Sequence, residues 1–533
     1  MSTLEYEKFL PLFPQSRKKN AEKKPYISSI RTIVLIFSLL LFYGRSWSQV
    51  DVTSTGGISP LSYTTLKDAF DAINAGTHTG SIAITITAST NEGANTAALN
   101  ASGTGSASYT TVSIQPSGGS WTITGATTAG NPLINLNGAD NVTIDGLNSG
   151  GNALIISNTT VSATAGTSTI RFINDASNDT VMNCNVQGSG TLATSGTILF
   201  STSSGLGGND GNYINNCNIG PAGVNLPVNA IYSLGSVSPN ENSGNTISTN
   251  NIFNYFNAGL STSGILVAAT GNTGWTVTGN RLYQTATRTY TTTALTHYGI
   301  NILGGSGYTV SSNIIGYAAN NGTGTTSMMG SGPVIAGTFP TGYTFTTNPN
   351  AQRYIGINGT FATGGAASEI QGNTIGGLAL LTSDGTSTVN GNLCGISVNG
   401  GNANVGTTTG NTIGSVTGNG SIYVANTSAT GTIVGIYATT ASGNTVSIQN
   451  NTIGGIDAMG ISTAAAGTTI GSVTGIDVAG TGNFTISGNT IGNTTADNIR
   501  TGNLINGSTQ LSNAGTNFLQ TSAGGQLSLI RDK

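Results

Sequence analysis

The sequence is long, rich in glycine and poor in charged residues. Of its 533 residues, 79 are Gly, 7% are charged and 6% are aromatic; 16 are Lys or Arg, 19 are Asp or Glu, and two are His. Disordered chains can also be glycine-rich, but they usually combine high net charge with few β-branched residues, whereas Thr, Ile and Val recur throughout this sequence. The composition therefore favours short strands and tight turns over disorder.

The N-terminus has the pattern of a secretory signal peptide. Basic residues precede an apolar run at positions 33–42, which is too short to span a bilayer but fits a signal-peptide core. Ser46 and Ser48 supply small side chains at the −3 and −1 positions, so we predict a signal peptide over residues 1–48 and export of the remainder. An uncleaved anchor and a start codon assigned too early are the alternatives.

Removal of residues 1–48 makes the chain distinctly acidic. This segment holds eight of the 16 basic residues and three of the 19 acidic ones, which leaves eight basic and 16 acidic residues and a formal net charge of −8. Such a chain lacks the basic surface that nucleic-acid binding requires. We therefore predict no nucleic-acid partner, and no membrane span in the mature chain.

One short segment after the predicted signal peptide has helical periodicity. Leu66, Phe70 and Ile73 fall on one face of a helix, and Gly76 lies where a C-cap glycine belongs. Exposed β edges promote aggregation, so repeat proteins need caps. We predict an N-terminal cap over residues 49–80 that contains this short helix.

A short motif, Asn-Thr-Ile-Gly in its clearest copies, recurs through the rest of the chain. Its first position, held by Asn or Cys, marks one repeat, and the markers are 30 to 40 residues apart except for one step of 60. A fixed motif at near-fixed spacing is the signature of a solenoid. The markers are Cys184, Cys217, Asn250, Asn280, Asn313, Asn373, Asn411, Asn451 and Asn489.

Strand-like runs accompany each marker. One run leads into the marker, as in residues 484–487, and another precedes it by about ten residues, as in 475–478. Both are period-two runs of Ile, Val and Thr between Gly and Asn, and helical periodicity is absent after residue 80. We predict an all-β fold, a right-handed parallel β-helix over residues 81–510, with about a dozen coils that each give one strand to two or three parallel sheets.

The marker residues are expected to stack. Equivalent residues of successive coils lie about 4.8 Å apart, so buried Asn side chains can bond to one another and to backbone groups. We predict an inward asparagine ladder, and a surface turn is the alternative. Cys184 and Cys217 occupy neighbouring markers; a disulfide between them and two reduced thiols in the place of Asn both stay open. Cys394 is predicted to be a buried filler.

Three segments after the predicted cap carry a resemblance to a known group. They are residues 112–125, 132–151 and 168–184, which read VSIQPSGGSWTITG, PLINLNGADNVTIDGLNSGG and STIRFINDASNDTVMNC. They resemble the N-terminal region of large secreted β-helix surface proteins of Gram-negative bacteria, similar to the pectate-lyase-like right-handed β-helix superfamily. Many such proteins carry a C-terminal sorting domain for type IX secretion, which is not recognised in the predicted tail, residues 511–533. The resemblance covers roughly residues 50–500 and implies export and surface display but no catalytic motif; the sequence can also be read as a fragment of a longer protein.

Residues able to support catalysis are few. His78 lies just after the predicted helix, His297 is interpreted as a turn residue, and neither has a nucleophile-elbow context. Zinc sites of the Cys/His type lack ligands. We assign no catalytic, cofactor-binding or metal-binding residues and no cofactor.

The densest acidic region contains Asp140, Asp145, Asp175 and Asp179. Stacked coils could bring two of these acids together as an acid/base pair or as a Ca²⁺ site of a carbohydrate-active enzyme. Asn-Asp and Asp-Gly are also ordinary turn sequences, and we favour turn chemistry. A lyase-like role stays open for one of four scattered arginines: Arg171, Arg281, Arg288 and Arg353.

The double step between Asn313 and Asn373 predicts an insertion at about 318–353. Aromatic residues exposed there could stack on sugar rings, and the alternative is a loop folded back onto the flank of the coil. Thr-rich runs such as 289–293 suggest ice binding, but the TxT pattern is not regular from repeat to repeat. The large apolar residues of the insertion include Met328, Met329, Phe339, Tyr343 and Phe345.

The leading hypothesis for function is a non-enzymatic, extracellular or cell-surface β-helix scaffold, adhesin-like and monomeric, that binds polysaccharide or another cell surface. The alternative is a polysaccharide lyase or glycoside hydrolase that acts on an outer face, at the Asp140–Asp179 region. We expect the mature protein to be secreted or to lie on the exterior of the outer membrane.

Overall fold

The computed structural model of the protein describes residues 48–532, apart from 206, 331–335, 339–340, 345–349, 385–389, 416–419, 428–431, 463–470, 493–497 and 506–526. The predicted signal peptide lies outside the described residues, except for Ser48, and stays a prediction. The described chain contains one α-helix and 48 strands. None of its helical structure is long and apolar enough to cross a membrane.

A helix and antiparallel strands cap the first coil. The helix, α1, spans Leu66–Asn74, and the Thr65 side chain caps it by accepting the backbone N–H of Asp68. The buried carboxylate of Glu92 accepts two further backbone N–H groups of the first turn, which satisfies donors that no helical carbonyl can reach. The predicted apolar face is confirmed, since the buried residues of α1 are Leu66, Ala69, Phe70 and Ile73.

Four sheets extend along the described residues, and two short strand pairs accompany them. Sheet A has 14 strands: Leu61–Tyr63, Val50–Gly57, His78–Ile86, Tyr109–Pro116, Val142–Asp145, Thr180–Met182, Tyr213–Asn215, Thr246–Ser248, Thr276–Thr278, Thr309–Ser311, Ser368–Gln371, Ala403–Val405, Thr445–Gln449 and Asn483–Ser487. Sheet B has 12: Thr90–Asn91, Ser120–Gly125, Ala153–Asn158, Asn185–Gly188, Asn218–Pro221, Asn251–Phe253, Arg281–Tyr283, Ile314–Gly316, Thr374–Gly376, Thr412–Gly414, Thr452–Gly454 and Thr490–Ile491. Sheet C has 12: Ala97–Asn100, Pro132–Asn137, Ser168–Ile173, Ile198–Phe200, Asn229–Ser233, Thr262–Val267, Leu295–Ile302, Gln352–Gly359, Leu393–Asn399, Thr432–Thr440, Ser472–Gly480 and Leu527–Asp532. Sheet D has six: Arg288–Tyr290, Thr326–Gly330, Leu378–Thr382, Ile422–Asn426, Ile456–Ser462 and Ile499–Ile505; the two pairs are Asn242–Ser243 with Asn272–Thr273, and Ala336–Thr338 with Thr341–Thr344.

Parallel pairing with constant register makes the core continuous. Beyond the antiparallel cap, neighbouring coils pair in parallel, so that Val181, Ile214 and Ile247 stack in one inward column of sheet A. Each fully buried Ile or Val contributes about 1.5–3 kcal/mol. The 12 strands of sheets B and C confirm the predicted dozen coils, and the predicted parallel β-helix is confirmed; its right hand stays a prediction.

Sheet D corrects the expectation of two or three sheets. It starts at Arg288–Tyr290, where the connection from sheet B to sheet C becomes long enough to hold a strand. In two later coils a single glycine separates the strands of sheets B and D: Gly377, at φ 58°, lies between Thr374–Gly376 and Leu378–Thr382, and Gly455, at φ 64°, lies between Thr452–Gly454 and Ile456–Ser462. The sequence prediction missed this sheet because one glycine with positive φ can redirect the chain without any visible loop.

The four sheets take in both ends of the insertion predicted at about 318–353. Thr326–Gly330 belongs to sheet D and Gln352–Gly359 to sheet C, and the strands Ala336–Thr338 and Thr341–Thr344 between them form a separate pair. Met328 is buried in the core. The description of side chains does not extend to Phe339, Tyr343 and Phe345.

The predicted inward asparagine ladder is confirmed at the turn between sheets A and B. Nδ2 of each Asn donates to Oδ1 of the Asn in the next coil at 2.8–3.0 Å. Its second proton goes to a backbone carbonyl of the preceding coil, also at 2.8–3.0 Å. Buried amides are thereby satisfied on both sides. The members are Asn250, Asn280, Asn313, Asn373, Asn411, Asn451 and Asn489.

Cys184 and Cys217 continue the ladder as free, buried thiols. Sγ of Cys217 lies 3.6 Å from the carbonyl oxygen of Val181, where an Asn would place Nδ2, and its backbone N–H donates to Oδ1 of Asn250 at 2.9 Å. Of the two possibilities considered for this pair, the structure contains the reduced thiols. Cys394 is buried as predicted, and burial raises the pKa of its thiol to about 12.

Candidate functional site

Three acids of the proposed catalytic face are engaged in turns. Oδ1 of Asp145 accepts two hydrogen bonds at 2.8 Å, from the backbone N–H of Leu147 and from Nδ2 of Asn183. Oδ1 of Asp140 accepts a backbone N–H of the next coil at 3.0 Å. Asp175 has φ 70°, a conformation that Asp adopts in turns. The contact of Asp145 with Leu147 and the backbone of Asp175 fit the turn interpretation, whereas the bond of Asp140 joins two coils.

Asp179, the fourth acid, belongs to a second internal ladder at the corner between sheets C and A. Its Oδ1 accepts the N–H of Val142 at 2.7 Å, and its own N–H donates to Oδ1 of Asn212 at 3.0 Å. Nδ2 of Asn212 donates to the carbonyl of Ala176 at 2.9 Å, whereas the corresponding Oδ2 of Asp179 has no partner among the described residues. Burial raises the pKa of Asp179 well above its usual range. Asp179 therefore occupies a structural asparagine position.

His297 is buried in a strand of sheet C, so the interpretation as a turn residue is wrong. Its ring stacks on Tyr255 with centroids 5.0 Å apart and lies 5.4 Å from the ring of Tyr354. Nδ1 is 2.7 Å from Oγ1 of Thr262, but Nε2 has no partner among the described residues. Burial, with a smaller effect of the Arg288 charge, lowers the pKa of His297 to about 3. The alternating pattern does not reveal this position because the strand begins at residue 295, ahead of the alternating run.

The cap contains the other histidine and a shallow groove. His78 is buried, its Nε2 lies 2.7 Å from the hydroxyl of Tyr63, and burial lowers its pKa. On the outer face of sheet A nearby, a groove of about 330 Å³ has no charged residue in its lining. Its hydroxyl-bearing residues are Thr53, Ser54, Thr55, Ser81, Thr111 and Ser113.

Hydroxyl groups also form two columns farther along sheet A. The TxT pattern, judged irregular from the sequence, is in register over three coils and is interrupted by Tyr213 before them and Glu369 after them. A regular array of hydroxyl groups that spans only three coils is too short to support the ice-binding interpretation. The two columns are Thr246, Thr276 and Thr309, and Ser248, Thr278 and Ser311.

Arg281 differs from the other arginines whose side chains the structure describes. It makes no hydrogen bond or ion pair with any described residue. The other four have acceptors: Arg171 donates to Asn135, Arg288 to Gln284 and Asn254, Arg353 to the carbonyl of Gly391, and Arg500 to the carboxylate of Asp457.

Two stacked aromatic rings lie next to Arg281 on the outer face of sheet B. Phe253 and Tyr283 are in register, with ring centroids 5.5 Å apart and planes at 17°. Both are partly exposed, and neither belongs to the hydrophobic core. Asn251 and Arg281 are also in register and lie two residues earlier on the same face. We call these four residues the outer aromatic site.

The outer aromatic site is visible in the sequence only after the repeats are aligned. Three residues after four successive markers stand Gly220, Phe253, Tyr283 and Gly316. The aromatic pair therefore interrupts a column of glycines. Exposed aromatic residues were predicted in the insertion instead, because an aromatic residue in a period-two run is usually assigned to the core.

Comparison with known proteins supports no family assignment. No family model and no curated protein matches the chain. Among solved structures, PfbA, a surface adhesin of Streptococcus pneumoniae, is similar with 12% identity over 81% of this chain and 89% of that chain, at a TM-score of 0.32. The periplasmic alginate epimerase AlgG is similar with 10% identity over 89% of this chain and 100% of that chain, at a TM-score of 0.22. At these values the likeness concerns the fold and not the activity.

Proposed function

We propose that the protein is a non-enzymatic, extracellular or cell-surface scaffold, adhesin-like in its role, that contacts polysaccharide or another cell through its outer faces. The observation that carries the proposal is that its clustered acidic side chains accept hydrogen bonds from the backbone. Asp145 and Asp179 are buried and accept backbone N–H groups, and so they maintain the coil instead of facing a ligand; the exposed Asp140 also accepts a backbone N–H of the next coil.

Export and surface exposure are part of the same proposal. The signal-peptide pattern of residues 1–48 supports it, as does the net charge of −8 that remains when this segment is removed. A parallel β-helix with a continuous apolar core and saturated internal ladders is an extended and rigid support, which is what presentation of binding residues at a distance requires.

The alternative, a polysaccharide lyase or glycoside hydrolase, needs an arrangement that the acids do not supply. A glycosidase requires two carboxyl groups free to face the scissile bond, and a Ca²⁺ site requires several oxygen ligands. Among the described residues, no group of three or more His, Cys, Asp or Glu side chains could hold a metal ion. The enzyme hypothesis is thus the less supported of the two.

The test combines localisation, binding and turnover. The full chain is expressed in a Gram-negative host, and its accessibility to added protease on intact cells is measured together with retention of polysaccharide-coated beads. We expect surface or medium location and bead retention, with no release of reducing ends from the same polysaccharides. Release of reducing ends that disappears in Asp140→Asn would overturn the scaffold proposal. Retention of the protein in the cytoplasm would overturn it as well.

A further inference from the structure

We propose that the outer aromatic site binds an acidic polysaccharide, with a pyranose ring against the rings of Phe253 and Tyr283 and the sugar carboxylate on the guanidinium of Arg281. This inference rests on the proposed function and deepens it, because it names a place on the scaffold and the class of ligand.

The rings are arranged to present an aromatic surface to solvent. Phe253 leans over Gly220 of the preceding coil: a Cβ built on this glycine would lie 2.8 Å from Cζ of the ring. Glycine at that position therefore permits the ring to lie across the sheet, and Tyr283 stacks on it from the next coil. Partly exposed stacked rings outside the core offer a face on which the C–H groups of a flat ligand ring can pack.

The backbone around the rings is fixed before any ligand arrives. Asn254, directly after Phe253, has φ 56°, and its Oδ1 accepts the backbone N–H of Thr285 at 2.9 Å and Nη2 of Arg288 at 2.6 Å. These bonds tie the coil of Phe253 to the coil of Tyr283. Binding therefore has little backbone to order, which favours affinity.

Free polar atoms surround the rings. Nδ2 of Asn251 donates to Oδ1 of Asn218 at 2.8 Å, but Oδ1 of Asn251 has no partner among the described residues. The same holds for the guanidinium of Arg281 and the hydroxyl of Tyr283. The hydroxyl of Tyr283 is a neutral donor at physiological pH, and burial raises its pKa further from that range. The site thus offers an acceptor, a hydroxyl and a cation around an aromatic face.

The charge pattern selects an acidic sugar. A guanidinium binds carboxylate through two parallel hydrogen bonds. No acidic residue that could compete for Arg281 occurs in its own outer column of sheet B or in the neighbouring column of Phe253 and Tyr283. From residue 185 to residue 376 those columns consist of Asn185, Asn218, Asn251, Arg281, Ile314 and Thr374, and of Gln187, Gly220, Phe253, Tyr283, Gly316 and Gly376. On a chain whose net charge is −8 once residues 1–48 are removed, a cation without a partner among the described residues, next to an aromatic surface, distinguishes a specific acidic ligand from general attraction of anions.

The test measures binding of the full chain to three acidic glycans, polygalacturonate, alginate and hyaluronan, by affinity electrophoresis and calorimetry. Each glycan is paired with its carboxyl-methylated form, which keeps the rings and removes the charge. We expect binding to at least one acid, weaker binding to its methyl ester, and weakening of the acid complex by salt. Failure of all three acids to bind at millimolar sugar would overturn the site.

Variants separate the two contacts. Phe253→Ala and Tyr283→Ala should each weaken binding of acid and ester alike by about tenfold or more. Arg281→Gln should weaken binding of the acid about tenfold and leave the ester unchanged, and Arg281→Lys should lie between. Phe253→Leu keeps an apolar side chain over Gly220 and tests the aromatic face if the alanine variant fails to fold. Thr374→Ala, on the same face of sheet B, is the matched control and should bind like wild type.

The outcomes separate this inference from the proposal on which it rests. Glycan binding that survives Phe253→Leu, Tyr283→Ala and Arg281→Gln would overturn the outer aromatic site and leave the scaffold proposal standing. Glycan cleavage with binding that depends on these residues would overturn the non-enzymatic proposal and leave the site standing. Equal effects of Arg281→Gln on the acid and on its ester would overturn the assignment of an acidic ligand.

Discussion

Asparagine side chains stack both inside the coil and on its outer surface. The interior stack and the exterior stack differ in how many of their hydrogen-bonding groups have partners. The interior ladder from Asn250 to Asn489 satisfies both protons of each Nδ2. In the exterior column Asn185, Asn218 and Asn251, one hydrogen bond of 2.7–2.8 Å joins each neighbouring pair. Oδ1 of Asn251, in register with Arg281, has no partner among the described residues. The same amide chemistry thus maintains the coil inside, and outside it leaves groups for a ligand.

Burial decides this difference. An unsatisfied polar group costs about 1–3 kcal/mol when it is buried, whereas water satisfies the same group at the surface. Interior amides must therefore have all their hydrogen bonds in every coil, whereas exterior amides need not. Substitutions should be severe inside and mild outside, and the interior positions that depart from complete bonding should be weak points.

The largest effect is expected from breaking the interior ladder. Asn313→Ala removes the acceptor of two donors of Asn280, its backbone N–H and its Nδ2, and the donor to the carbonyl of Val277. We expect a loss of about 3–5 kcal/mol, read as a lower denaturation midpoint and faster amide hydrogen exchange in the coils around residue 313. Asn251→Ala, the exterior control, should cost less than about 1 kcal/mol. Equal losses for both variants would contradict the comparison.

His297 is an interior polar group that lacks one partner, and it should make the protein acid-sensitive. Its pKa of about 3 lies below the value of about 6.5 expected in the unfolded chain. Between these values the unfolded state binds a proton that the folded state does not, so stability falls as pH falls, by on the order of 1 kcal/mol per pH unit from about pH 6 to pH 4.

His297→Phe keeps a ring between Tyr255 and Tyr354 and removes the titration. Chemical denaturation at a series of pH values should therefore show a shallower slope for this variant than for wild type. His78 stays in both proteins and contributes equally to both slopes, since burial lowers its pKa as well. Identical slopes would mean that His297 is protonated in the folded state.

Asp179 is a second interior group that lacks a partner among the described residues, at its Oδ2. Unlike His297, it destabilises the protein at high pH, so replacing it with Asn should stabilise the protein. In Asp179→Asn, Nδ2 replaces the unpartnered Oδ2 and can donate as Nδ2 of Asn212 does. We expect a gain of about 1–2 kcal/mol at pH 7. The folded pKa is raised, so the folded state favours the protonated acid, and the penalty of ionisation appears only as pH rises. The gain should shrink toward pH 4; a variant less stable than wild type at pH 7 would refute this account.

The smallest effect is expected at the cysteine end of the ladder. Asn in place of Cys217 could donate to Oδ1 of Asn250, as the Asn residues of later coils do with their neighbours. We expect Cys217→Asn to change stability by less than about 1 kcal/mol under reducing conditions, because the hydrogen bonds that the amide gains over a weak thiol donor are offset by the cost of burying a larger polar group in a packed site. Native wild-type thiols should also resist a thiol reagent until the protein unfolds, since all three are buried. Rapid labelling of the native protein would contradict the buried arrangement.

The residues that the sequence placed correctly are those whose chemistry is local and repeated. Asn250, Asn313 and their equivalents recur at one coil length, so alignment of the repeats alone predicts that they stack. The helix at Leu66–Asn74 was predicted for the same reason, since its apolar face and C-terminal glycine lie within one short segment. Asp145 and Asp175 were also interpreted correctly, because Asp-Gly and Asn-Asp are turn sequences in almost any context.

Other features depend on residues that only the folded chain brings together. Sheet D starts at Arg288–Tyr290 and continues where Gly377 redirects the backbone, and no sequence period marks either position. His297 is buried because Tyr255, from the preceding coil, and Tyr354, from the following one, enclose it. The sequence by itself determined a repeating coil with a polar ladder inside, since both follow from spacing and hydrogen-bonding capacity. The tertiary structure decided which outward side chains meet, because the register between coils sets those contacts. It stacks Phe253 on Tyr283 and leaves Arg281 without a partner among the described residues.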